Sequence, residues 1–276
     1  MAAEKKQIRV MLWCVPRAGS TAFLRCISNR DDVKAFRELF VACTFFGPEA
    51  RLDITGKMNV AVEEDLTFKK VKAKLEADYD APIVFAKDGV EVIYGNYECL
   101  PTGYTHTFLI KSPHKVHMSK KSLFEKAMKQ FGISDAGYDK ACITSNIGSP
   151  FYEMLELVKY VRDELKQNII LIDGDDLIAN PEAMMKKWCE AVGVPFKPDM
   201  MNWEQNGDIK WEMSEGHKMF MKLTPEASKN AFNSTGFSTR VATDHSKTDV
   251  PEDVRKCIED SDPFYKDLYK MRMTLD

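Results

Sequence analysis

One stretch near the start of the chain constrains the fold most. Ile8-Arg9-Val10-Met11-Leu12-Trp13-Cys14-Val15 runs into Pro16-Arg17-Ala18-Gly19-Ser20-Thr21, and then into Ala22-Phe23-Leu24-Arg25-Cys26-Ile27-Ser28-Asn29-Arg30. The unbroken apolar run with β-branched residues predicts a strand covered on both faces, and the apolar spacing after the loop predicts a helix. A strand covered on both faces needs helices above and below it, so the chain should supply further strands of the same kind.

Pro82 to Ala86, Thr107 to Lys111 and Asn168 to Asp173 are such strands, and Val33 to Phe36 is a shorter apolar piece. Helical periodicity marks Glu63 to Asp78, Val116 to Phe131, Tyr152 to Lys166 and Pro181 to Val192, the last opened by Asn180-Pro181 and closed by Gly193. Alternating strands and helices predict an α/β fold with a mainly parallel central sheet flanked by helices. With 276 residues, 44% of them hydrophobic and 29% charged, the chain reads as one domain over 1–276. Residues 199–249 carry Trp203, Trp211, Phe220, Phe232 and Phe237 among polar neighbours and predict a loop-rich cover. Residues 251–275 predict one or two C-terminal helices.

Charge excludes several partners. Lys and Arg number 39 against 42 Asp and Glu, so no basic field gathers nucleic acid or acidic membrane, and an anionic ligand must be held by a local site. No apolar run reaches the roughly 18 residues of a membrane span, and the N-terminal residues lack a secretory core, which together predict a cytoplasmic protein. The seven cysteines are odd in number, widely spaced and without a C-x-x-C, so they predict reduced thiols rather than disulfides or a zinc ribbon.

The loop Val15 to Thr21 collects backbone N–H groups at a helix start, where an oxyanion is well held. Gly19 permits close backbone approach, Ser20 and Thr21 add hydroxyls, and Arg17 adds a permanent charge with a planar donor fork. The plainer reading is a turn in which Ser20 only caps the helix. A triphosphate-binding loop of the form G-x-x-x-x-G-K-[ST] is not met: with Gly19 as its second glycine, Cys14 takes the first glycine's place and Ser20 the lysine's. Asp173 in Leu171-Ile172-Asp173-Gly174 resembles a strand-end magnesium carboxylate and keeps an ATP-dependent, kinase-like enzyme as an alternative. A non-catalytic nucleotide-binding scaffold is the other.

Pro16-Arg17-Ala18-Gly19-Ser20-Thr21, followed by Leu24 and Arg25, resembles the 5′-phosphosulfate loop of sulfotransferases that use 3′-phosphoadenosine 5′-phosphosulfate (PAPS). The arginine at the basic position is similar to the tyrosylprotein branch. A second stretch, Phe108-Leu109-Ile110-Lys111-Ser112-Pro113-His114-Lys115-Val116-His117-Met118-Ser119, resembles the family's 3′-phosphate segment, with Lys111 where the family has Arg. Ile170 to Pro181 and the helix ending at Gly193 resemble a third family segment. The resemblance covers about residues 8–194 and implies a three-layer, P-loop-type fold. It also implies PAPS as cosubstrate, PAP as product and no metal requirement, with Arg17, Ala18, Gly19, Ser20, Thr21, Lys111 and Ser119 binding the nucleotide. Ala22 replaces the aromatic residue that stacks on adenine in cytosolic members. Ser234 to Arg240 offers a further anion loop in place of the family's C-terminal basic one.

Sulfuryl transfer to a hydroxyl, or less favourably an amine, of a small molecule needs a base near the loop. Glu38 is the first choice: it lies 21 residues after Arg17 and follows Asp31-Asp32-Val33, both similar to the tyrosylprotein branch. Its ordinary role would be a surface pairing with Arg37 or another cation. His106 and Asp88 are the other candidates; Lys87-Asp88, ending the Pro82 to Ala86 strand, brings an extra cation and carboxylate to the same sheet edge. The acceptor's identity and the oligomeric state have no signal in the sequence.

Overall fold

The computed structural model describes residues 7–51, 60–130, 149–225, 229–237 and 250–275, the side chains of 127–130 excepted. Five strands, β1 (Ile8–Cys14), β2 (Val33–Arg37), β3 (Ile83–Gly89), β4 (Thr105–Ile110) and β5 (Ile170–Asp173), form one sheet in the order β2-β3-β1-β4-β5. All neighbouring pairs are parallel. Val10 to Cys14 are buried without interruption because helices cover both faces. On one face Phe23 meets the Trp188 ring edge-on at 4.9 Å, and on the other Trp13 stacks on Phe40 at 6.0 Å.

The helices are α1 (Ser20–Ser28), α2 (Leu39–Phe46), α3 (Phe68–Glu76), α4 (Val90–Ile93), α5 (Pro113–Gln130), α6 (Pro150–Asp163), α7 (Gly174–Ala179), α8 (Pro181–Val192), α9 (Glu215–Leu223), α10 (Lys229–Phe232) and α11 (Glu252–Lys270). The three-layer α/β architecture and the parallel sheet are as expected, and α8 keeps its expected bounds. Other limits move. Helix α3 starts later than its periodicity suggests because Thr67 caps it, its Oγ1 accepting from Lys70 N at 3.2 Å. Strand β4 begins two residues earlier and ends one earlier, so His106 lies inside the strand and Lys111 just beyond it. Within residues 251–275 there is one helix, α11, which runs through Pro263.

Helix α2 is absent from the periodicity reading, because Leu-Phe-Val-Ala-Cys-Thr-Phe-Phe is apolar all round and shows no helical stripe. The described part of the cover carries α9 and α10 and is tied to the sheet. Its Glu212 N donates to Ala35 O at 2.8 Å and Arg37 N donates to Glu212 O at 2.9 Å, a parallel bridge alongside β2. Arg25 of α1 fastens another part of the cover, donating to the carbonyls of Ala231 and Phe232 and facing the Phe232 ring at 5.2 Å.

Strand β1 runs down the middle, with its chain continuing to one side and that of β4 to the other. The crevice at the carboxyl ends of β1 and β4 is where ligands of open parallel sheets bind. Among the described residues no helix is long and apolar enough to cross a membrane. Among the described residues six cysteines lie outside any disulfide, and Cys142 is not among those residues.

Candidate active site

The loop after β1 is bent by two left-handed residues, Arg17 with φ 67° and Gly19 with φ 98°. Glycine adopts such a φ freely; arginine does so at some cost, of order 1 kcal/mol or more, and strain of this kind concentrates at functional sites. Helix α1 starts at Ser20 with no side-chain cap. The amides of Gly19, Ser20 and Thr21 donate to no group among the described residues. Ser20 is therefore not the cap of the plainer reading, and three N–H groups stay open to an anion. The loop rests on the end of β5: a Cβ at Gly174 would lie 2.5 Å from Ala18 O, so only glycine lets the two backbones approach this closely.

The second phosphate segment lies against the first. Arg17 Nε donates to Ser119 Oγ of α5 at 3.0 Å. Lys111 Nζ is 3.7 Å from the Asp175 carboxylate, which Lys115 approaches more closely at 3.0 Å. Two stretches about a hundred residues apart in sequence thus meet at one basic point.

Glu38 is not a surface residue. It too is left-handed, at φ 52°, and stands where β2 turns into α2, its N–H held by Lys87 O at 2.7 Å. Its carboxylate accepts from Lys87 Nζ and from His217 Nε2 at 2.9 Å, and Arg37 Nε lies 3.5 Å away. Burial alone would raise this carboxyl, but Lys87, Arg37 and His217 outweigh it and hold Glu38 well below the usual carboxylate range. Burial acts against the charge of Lys87 as well, and the Glu38 carboxylate more than offsets it, keeping the ammonium raised.

His217 has no motif to announce it in the sequence. Its backbone N–H is held by Ser214 Oγ at 3.0 Å, and the preceding Gly216 N donates to Glu63 Oε1 at 2.7 Å. A Cβ at Gly216 would strike the Phe46 ring at 2.5 Å, so the glycine sets how closely α9 approaches α2. The faint signals available were the Ser-x-x-His helix start and the rarity of histidine, five in the chain.

The other base candidates have different work. Asp88 accepts from Phe40 N at 2.7 Å, Val41 N at 3.1 Å and Gly89 N at 2.9 Å, so it caps α2. Burial pushes its carboxyl up to about 8 despite these donors. His106 is enclosed in the core, its Nδ1 accepting from Trp13 Nε1 at 3.1 Å, and burial lowers it to about 4. Asp173 caps α7 through Asp175 N at 2.8 Å and accepts from Tyr265 Oη at 3.0 Å, which leaves it the role of a cap rather than a magnesium carboxylate.

Arg17, Glu38, Lys87, Lys111, Ser119 and His217 all border one cavity of about 460 Å³, a size typical of small-molecule sites. Ser234, Gly236 and Phe237 border it too, while 238–240 of the suggested C-terminal anion loop lie outside the described residues. Among the described residues no cluster of three or more His, Cys, Asp or Glu side chains is arranged to hold a metal ion.

No family model matches the chain. The branched-chain-amino-acid aminotransferase-like protein 2 of Arabidopsis thaliana is 22% identical over 202 residues, covering 70% of this chain and 31% of that protein. The chain therefore spans less than a third of that relative's length. Among solved structures, the sulfotransferase domain from the curacin biosynthetic pathway is similar with a TM-score of 0.54 and 13% identity, over 92% of this chain and 98% of that one. The sulfotransferase domain from the Synechococcus PCC 7002 olefin synthase is similar with a TM-score of 0.53 and 14% identity, over 94% of this chain and 96% of that one. The chain has the fold of these sulfotransferase domains.

Proposed function

We propose that the chain transfers a sulfuryl group from PAPS to a hydroxyl of a small-molecule acceptor. The observation that carries this reading is the meeting of the uncapped loop at Gly19 to Thr21 with Lys111 and Ser119, bound together by Arg17, on the cavity that Glu38 also borders. Two anion grips side by side suit a ligand with two separate phosphate-like groups better than a single phosphate.

In this reading the amides of Gly19, Ser20 and Thr21, with Arg17, hold the phosphosulfate and stabilise the charge that grows on its bridging oxygen as the S–O bond lengthens. Arg17 acts as a clamp, since a guanidinium does not give up its proton. Lys111 and Ser119 hold the 3′-phosphate. Leu177, Ile178 and Phe237 also border the cavity and offer adenine the apolar contact that Ala22 cannot. Glu38 is the negative end of the path by which the acceptor's proton leaves.

The test is calorimetry with PAP, ADP and ATP, with and without magnesium. PAP should bind more tightly than ADP, by roughly tenfold or more for one extra charge-assisted grip, and without magnesium. Equal affinity for ADP, or ATP binding that requires magnesium, would favour the kinase-like alternative.

A further inference from the structure

We infer that His217 is the group that takes the acceptor's proton and that Glu38 is a positioning residue acting through it; the inference rests on the sulfuryl-transfer reading. Both Glu38 oxygens are already engaged, one by Lys87 Nζ and the other by His217 Nε2 at 2.9 Å with Arg37 nearby. A carboxylate enclosed by three basic side chains is a weak proton acceptor, and protonating it would break a buried ion pair. The neighbouring imidazole is differently placed. His217 is buried to 4% exposure and borders the cavity, and its Nδ1 is a buried nitrogen with no hydrogen-bond partner.

A buried unpartnered polar atom calls for an explanation, and a site that receives a proton supplies one. With Nε2–H donated to Glu38, Nδ1 carries the lone pair, and the tautomer is set by the carboxylate as in other carboxylate–histidine pairs. His106 cannot serve, since Trp13 occupies its Nδ1, nor can His117, whose Nε2 is 2.9 Å from Ser261 Oγ. The helix that bears His217 is fixed by the Ser214 cap, the Glu63 contact and the Gly216–Phe46 packing, so the ring is held rather than trailing in solvent.

The step balances as follows. The acceptor O–H gives its proton to His217 Nδ1 while the oxygen's electron pair forms the new bond to sulfur. The bridging S–O bond breaks with its pair remaining on the phosphate oxygen of PAP. The imidazolium that results keeps Nε2–H on Glu38 Oε2, where the carboxylate offsets its charge.

The experiment measures PAP affinity by calorimetry and PAP release from PAPS, with water and a set of simple alcohols and phenols as acceptors, for the parent, His217→Ala and His217→Gln. Both variants should bind PAP within about threefold of the parent and lose about 10²–10⁴-fold in turnover, with added imidazole restoring part of the His217→Ala rate. Turnover within about threefold of the parent in His217→Ala overturns the inference and leaves sulfuryl transfer standing. A parent that fails to bind PAP removes the sulfuryl-transfer reading itself. Nitrogen-15 spectra of the imidazole read the arrangement without any acceptor: a bare Nδ1 and a protonated Nε2 are expected, and the reverse tautomer overturns the inference. In Glu38→Gln the amide can donate to Nε2, so the tautomer should reverse, a change that a merely structural role for Glu38 would not produce.

Discussion

The two ends of the cavity are built by opposite means. At the loop end the open donors are backbone: consecutive residues from Arg17 to Thr21 turn at two left-handed positions and leave three amides open. At the Glu38 end, side chains from β2, β3 and α9 converge, and the backbone serves only to bring them there. The first arrangement survives changes in its surroundings because its donors are local. The second depends on sheet order, on an αL residue and on a helix delivered by the cover segment. In the proposed reading the open amides hold and polarise the phosphosulfate at one end, and the ionised groups handle the acceptor's proton at the other.

That separation can be broken most directly by paired substitutions. Glu38→Gln keeps size and hydrogen bonding but removes the charge, so transfer should fall by about 10²–10⁴-fold while PAP affinity stays near that of the parent. Lys111→Ala should do the reverse, costing about tenfold to hundredfold in PAP affinity from a charge-assisted contact of about 1.5–3 kcal/mol. Arg17→Ala, which also loses the bond to Ser119, should weaken PAPS use and slow transfer together. Calorimetry and initial rates on the three variants check this. PAP binding at parental strength in both Arg17→Ala and Lys111→Ala would place the nucleotide somewhere else.

The same contrast explains what could be read from the sequence. The β1 loop was legible because its strand, turn and helix are contiguous and each has its own local signature. Lys111 and Ser119 were legible as residue types, though the Arg17–Ser119 bond that joins them to the loop is a product of the fold. Glu38 was found by its distance from Arg17, and its pairing with Arg37 was foreseen only as a surface contact. In the fold Arg37 is buried and Glu38 half-buried, with Lys87 and His217 added. Lys87 was placed at the right sheet edge, but its neighbour Asp88 proved to be the cap of α2, a helix without periodicity whose N-terminus is satisfied from another strand. His217 was out of reach, because it arrives through the Glu212 bridge to β2, a non-local pairing that no spacing encodes.

A smaller effect sharpens the loop side of the comparison. Gly174 touches no ligand in the proposed reading, yet a methyl group there would meet Ala18 O at 2.5 Å and Ile110 O at 3.3 Å. Gly174→Ala must push the anion loop outward, at a cost of about 1–3 kcal/mol typical of overpacking. PAP affinity should drop by roughly three- to tenfold, and the proton path at Glu38 should be spared. An affinity equal to the parent's would mean that the loop tolerates displacement and that its amides are not held in place by β5.

The smallest expected effect concerns the wall behind the Glu38 end, where the charge state is set the other way. Glu153 is buried and Glu91 half-buried, and each has one buried carboxyl oxygen without a hydrogen bond. Burial outweighs the nearby cations, Lys120 and Lys87 at Glu91 and Arg51 and Lys120 at Glu153: the Glu91 carboxyl is raised, and that of Glu153, with the Glu91 charge adding to burial, is pushed up to about 8 from 4.5. The Glu38 carboxyl, whose charge helps to raise Glu91, is itself held low because Lys87, Arg37 and His217 surround it. A folded-state value above the unfolded one means that folding favours the protonated form. The Glu153 contribution is therefore complete below the unfolded value and is lost as pH rises through about 8. Glu153→Gln mimics the protonated group at every pH. Its apparent Tm should match the parent's near pH 4, below the unfolded value, and exceed it by several degrees, about 3–8 °C, above pH 8.5. Transfer at neutral pH should change by less than about twofold, since in this reading Glu153 handles no proton of the reaction. Thermal melts of the two proteins across this range decide the matter. A pH-independent difference would show that Glu153 is ionised in the folded protein, and that the wall shares the electrostatics of the Glu38 cluster instead of opposing them.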